Sequence, residues 1–96
     1  MRQMEQGNRV VVSVMGRNRP GILAAVSKVL ADHQVDIVDA TQKIVDDLFL
    51  MMLVADLGAG GTSVDELNRA LRVPCSAMGL EVVAQHEKLF RYMHRV

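Results

Sequence analysis

The chain lacks net charge: eleven Lys and Arg balance eleven Asp and Glu over 96 residues. No long-range field draws nucleic acid or anionic lipid to such a surface, which argues against direct nucleic-acid binding. Cysteine is almost missing. Cys75 is single, so no intramolecular disulfide framework exists, and seven Met fit a reducing compartment; a cytoplasmic location is expected. Long apolar runs are missing too. The longest, Leu48 to Ala55, falls far short of the roughly 20 residues that span a bilayer, and MRQMEQGN at the start carries no apolar signal segment, so no membrane association is expected. Internal repeats, low-complexity tracts and linkers are also absent. The expected organisation is a polar lead-in over residues 1–8 and one domain over residues 9–96. A chain this short leaves much of its apolar area uncovered, which favours pairing with a second copy.

What is present has clear periodicity. Arg9 to Met15, RVVVSVM, is β-branched and stops at Gly16, as a first strand would. From Gly21 the period becomes helical, with Ile22, Ala25, Val26, Val29 and Leu30 on one stripe. Asp36 to Val45 alternates, Asp39, Thr41 and Lys43 against Val38, Ala40 and Ile44, and suits an edge strand. After a two-residue turn at Asp46-Asp47, Leu48 to Leu57 is apolar on both faces and needs cover on both.

GAGGTS, residues 58–63, is a loop, and Ser63 with Glu66 predicts a capping box opening a second helix with Val64, Leu67, Leu71 and Met78 inward. Pro74 inside that helix would cost about 3 kcal/mol, so a kink or restart is expected there. Gly79 ends the helix. Leu80 to Gln85 forms a fourth strand, and Leu89, Phe90 and Met93 mark a short tail helix.

The order βαββαβ predicts an α+β, ferredoxin-like sandwich: an antiparallel sheet of order 4-1-3-2, two helices on one face, and a short C-terminal helix. This order centres the two most apolar strands. It also leaves one apolar face of the third strand bare, which predicts a homodimer, sheet against sheet or edge to edge.

MGRNRPGILAAV, residues 15–26, joins the first strand to the first helix. On one reading it is only a helix start, with Asn18 as cap and Pro20 in the first turn. On the other, the free N–H groups of the helix N-terminus, with Arg17 and Arg19 beside them, form a site for a carboxylate or phosphate. Only Gly16 and Gly21 are present, so the spacing is neither a dinucleotide fingerprint nor a P-loop.

GRNRPGIL, the helix exit ADHQVDIVDATQ and the element order together resemble an ACT domain, from about Arg9 to the end. The ending QHEKLFRYMHRV is similar to stand-alone single-ACT proteins of bacteria and archaea, and more distantly the chain is similar to the glycine cleavage system repressor-type regulator and the amino-terminal domain of formyltetrahydrofolate deformylase. The resemblance implies regulation by a small molecule, usually an amino acid held at a subunit boundary. The implied binding residues are Asn18, Arg19, Pro20, Gly21 and Ile22 after the first strand, facing Asp36 and Ile37 at the start of the second. An Asn is common in such members where this chain has Asp36. Asp favours an ammonium group and repels a carboxylate.

Other constellations are weaker. His86, Glu87 and His94 do not have the spacing of a helical zinc motif and are read as strand and helix ends, so no metal or cofactor is expected. Cys75 has no neighbouring activator and is expected to be buried and inert; Met51 and Met52 read as core or interface. No nucleophile and base stand together. The expected function is a non-enzymatic, dimeric, amino-acid-binding regulator acting on a protein the sequence does not identify; the alternative is an interaction or structural module that binds no metabolite.

Overall fold

The computed structural model describes residues 8–59 and 61–93. Four strands, β1 (Arg9–Arg17), β2 (Asp36–Val45), β3 (Leu48–Asp56) and β4 (Glu81–His86), alternate with α1 (Ile22–Asp32) and α2 (Val64–Ala77), and α3 (Glu87–Met93) follows. The sheet order is β2-β3-β1-β4 and every neighbouring pair is antiparallel. This is the expected ferredoxin-like sandwich.

Alternation along the central strands sorts the core. Val10, Val12 and Val14 of β1 share a face with Phe49, Met51, Leu53 and Ala55 of β3, and all seven are buried. Ile22, Val26 and Leu30 of α1 and Leu67, Leu71 and Cys75 of α2 close over them. The Val, Leu, Ile, Phe and Met side chains among them each contribute about 1.5–3 kcal/mol on leaving water. The opposite face carries Met15, Leu48 and Met52, each 40–48% exposed. The bare face expected of strand three is present.

Both long helices end in the same backbone device. In α2, Leu80 N–H donates to the Cys75 carbonyl and Gly79 N–H to Ser76, with Gly79 at φ 74. In α1, Val35 N–H donates to Leu30 and Gln34 N–H to Ala31, with Gln34 at φ 59. These are Schellman caps, which place one residue in the left-handed region.

Beyond shifts of one residue at the ends of β3 and β4, three features differ from expectation. First, β1 continues through Gly16 and Arg17, paired with Phe49 and Leu48. Gly16 permits this because a Cβ there would lie 2.7 Å from Leu80 Cδ2 and 3.1 Å from the Gly79 carbonyl oxygen. Second, α2 runs unbroken through Pro74. Leu71 and Cys75, fully buried on either side of it, hold one continuous helix against the core and oppose the roughly 3 kcal/mol that a proline costs. Third, β2 holds a bulge between Ile37 and Asp39, so Val38 is an extra residue outside the alternation.

The tail helix has a definite place. Val11 faces away from α1 and α2 yet is only 4% exposed, and α3 contacts both β1 and β4. Among the described residues α3 is the element left to cover that end of the outer face.

Candidate functional site

The β1–α1 connection is held from below by the β2–β3 turn. Asn18 N–H donates to the Asp47 carbonyl at 2.7 Å, and Arg17 Nη1 lies 3.5 Å from Asp47 Oδ2. The ion pair is exposed on both sides and contributes little by itself. Asp46 supports the turn at φ 55, a conformation Asp tolerates better than most residues.

Asn18 does not cap α1. The N-cap is Gly21, at φ 90, and no side chain accepts from the first turn. The first intrahelical bond runs from Ala25 N–H to the Gly21 carbonyl at 3.0 Å. Asn18 lies too far upstream, with Pro20 before the cap rather than inside the helix, and its backbone is committed to Asp47 instead. The first turn also holds no acidic residue. The end of α1 therefore presents N–H donors and the positive pole of the helix dipole without an internal partner.

Asn18, Arg19, Pro20 and Gly21 are all exposed, whereas Ile22 is 2% exposed and anchors the helix in the core. The structure thus assembles four exposed residues and one pin. Sequence reading put Met78 on the inner stripe of α2 and Asp47 in a turn but brought neither to this connection; Met78 lies at the C-cap of α2, its Cε 3.9 Å from where a Cβ on Gly21 would stand. Neither has a local signal, because both arrive from other elements through the sheet register.

Asp36 and Ile37 do not face this turn within one chain. Asp36 pairs with Asp56, which pairs with Arg9 at the start of β1, while Asn18 follows Arg17 opposite Leu48. The eight steps from Leu48 to Asp56 separate the two ends by about 26 Å. The reason is topological: β1 and β2 run parallel, and a helical crossover between parallel strands starts at one end of the sheet and returns at the other. Asp36 and Ile37 also point to opposite faces, Ile37 sharing the helix side with Ala55.

The two sheet edges differ. At β4, the Asn68 side chain donates to the Ala84 carbonyl and accepts from Ala84 N–H, both at 2.8 Å, and so occupies the outer edge. At β2 all ten residues are exposed. The Ala40 N–H of β2 donates to the adjacent Asp39 carboxylate, at 2.9 Å.

The remaining candidates lie apart from this turn. His86 closes β4, its Nδ1 accepting from Lys88 N–H at 3.3 Å; His94 lies outside the described residues. Among the described residues no three His, Cys, Asp or Glu side chains group to hold a metal ion. Cys75 is buried, and burial raises its thiol pKa above the ordinary value. No helix among the described residues is long and apolar enough to cross a membrane.

Comparison with known proteins places these features in a family. Residues 8–85 match the profile described as an ACT domain. The chain is 42% identical to a UPF0237 protein of Methanocaldococcus jannaschii over 89 residues, 93% of this chain and 99% of that one. It is 43% identical to a UPF0237 protein of Methanopyrus kandleri over 88 residues, 92% and 98% of the two. Among solved structures, an ACT domain protein from Streptococcus pneumoniae superposes with a TM-score of 0.75 at 23% identity, over 85% of this chain and 92% of that one.

Proposed function

This chain belongs to the ACT domain family, whose members are typically regulatory ligand-binding modules, and on that premise we propose that it is a non-enzymatic amino-acid sensor acting as a dimer. The observation that carries the reading is the N-terminus of α1: no side-chain cap, no acid in its first turn, and Arg17 and Arg19 alongside. Such an end favours a carboxylate.

The second half of the ligand needs a second chain. Two protomers joined antiparallel through their open β2 edges form one eight-stranded sheet in which each strand end meets its opposite. The Asp36 end of one protomer then lies at the Asn18 end of the other, three strand spacings or about 14 Å across, with α1 leaning between them on the β2 side. An amino acid has matching charges: its carboxylate suits the α1 N–H groups, and its ammonium suits the partner's Asp36. Binding at such a boundary shifts assembly or docking by the difference in affinity between states, which is how the module would signal to a partner protein.

The test is thermal melting of the protein against single amino acids. A true ligand at 100 times its Kd stabilises the fold by about 2.7 kcal/mol and raises the midpoint. Asn18→Ala should abolish that rise while the two-chain mass persists. A panel in which no amino acid moves the midpoint would overturn the sensor reading and favour the alternative, a protein-interaction module without a metabolite.

A further inference from the structure

We propose that the bare half of the outer sheet face is a docking surface for α3 of a second copy, so that two edge-paired dimers stack into a closed tetramer. This rests on the edge-paired dimer above.

The outer face has two halves. Toward Arg9 and Val11 it is covered by the chain's own α3. Toward Leu48 it is open, with a hollow of about 430 Å³ lined by Ser13, Met15, Thr41, Lys43, Leu50 and Met52. Register aligns these residues in rows: Glu81, Met15, Leu50 and Lys43 across the four strands, then Val83, Ser13, Met52 and Thr41. The centre of each row is apolar or small; the β2 rim is polar at Lys43 and Thr41, and the β4 rim carries Glu81 and an exposed Val83.

The occupant is indicated by α3 itself. It rests on only half the face, and it carries Leu89, 50% exposed with its neighbour Lys88 also exposed. A two-fold axis across the strands turns each α3 onto the partner's β1 and β4 at the open end. Leu89 then meets the Met15 side of the hollow, and Lys88 faces Glu81, which pairs with Met15 on the β4 rim. The opposite choice, an axis along the strands, places both tail helices at the same end and leaves both hollows empty. The axis across the strands also meets the axis of edge pairing, so the assembly closes at four chains instead of growing.

Area sets the strength. The open rows measure about 19 by 13 Å, roughly 250 Å² of flat face, against about 800 Å² per partner in a standard interface. Stacking presents two such faces per dimer and still falls short, so the tetramer is concentration-dependent.

Light scattering across a concentration series is expected to show the mass rising from two chains to four. Leu89→Asp and Met15→Asp should each hold it at two while keeping the amino-acid melting shift. Mixing a Leu89→Cys chain with a Met15→Cys chain under mild oxidation should give a crosslinked pair well above that of either variant alone; Cys75 is buried and does not compete. A mass that stays at two chains at high concentration, a Leu89→Asp protein that still reaches four, or no added crosslink on mixing would overturn the α3 contact. Gln42→Pro, on the outer edge of β2, separates the two readings. Its loss of the melting shift supports edge pairing, whereas an unchanged shift and mass would overturn edge pairing whatever the Leu89 results.

Discussion

The two long helices begin in opposite ways. At α2, Ser63 accepts from Glu66 N–H and the Glu66 carboxylate accepts from Ser63 N–H, each at 3.1 Å, and Asp65 and Glu66 complement the dipole. At α1 the cap is a glycine at φ 90, with no side-chain bond and no first-turn acid. A cap contributes roughly 1 kcal/mol, and α1 goes without it. The fold knows how to close a helix start, since it does so a few dozen residues later. The end left open is the one beside Arg17 and Arg19 and next to the Asp47 carbonyl, and the proposed site rests on that contrast more than on either feature alone.

The comparison can be broken most strongly at Gly21. Gly21→Ala keeps open space around the new methyl but forces a side chain into φ 90, at a cost of about 1–3 kcal/mol. Urea unfolding should show that loss, and the amino-acid melting shift should fall with it. Unaltered stability would mean the backbone relaxes and the glycine is not required. At the closed helix, Ser63→Ala should cost about 1 kcal/mol in the same assay. Here the ligand response should survive, and its disappearance would show that the two helix starts are not independent.

The C-terminal ends sharpen the contrast in reverse. Gly79 suits its left-handed position, whereas Gln34 does not, so Gln34→Gly should raise stability by up to about 1 kcal/mol. A destabilised variant would show that the Gln34 side chain makes a compensating contact. The smallest effect concerns pH. Burial raises the Cys75 pKa above its ordinary 9.0, so the stability this neutral thiol contributes is complete below 9.0 and is lost as pH rises toward the folded value. Cys75→Ala should flatten the alkaline decline in unfolding midpoint; an identical decline would assign it to other groups.

Much of this was legible in the residues themselves. Strand and helix periods located every element, the Ser63–Glu66 spacing marked the α2 start, and the apolar character of Leu48 to Ala55 forecast both a central strand and a bare face. What escaped reading was set at a distance. Pro74 was expected to break α2, but its local penalty is opposed by Leu71 and Cys75 anchoring both sides, which only packing reveals. Asn18 has the right chemistry for a cap and the wrong position, because the helix begins after Pro20 and the Asn18 amide is drawn to a turn some thirty residues on. The expectation that Asn18 faces Asp36 treated the two as neighbours across a connection. Strand direction puts them at opposite ends, and a ligand spanning both must then be shared between chains.

The Asn68 amide on Ala84 has an arithmetic consequence. A sheet with two open edges has two valences and can add copies without limit, as aggregating strands do. With one edge engaged at Ala84 by a side chain of its own, this sheet keeps β2 as its open edge, so joining through that edge would count to two and stop. One amide group on one helix would then make the difference between a pair and a fibre.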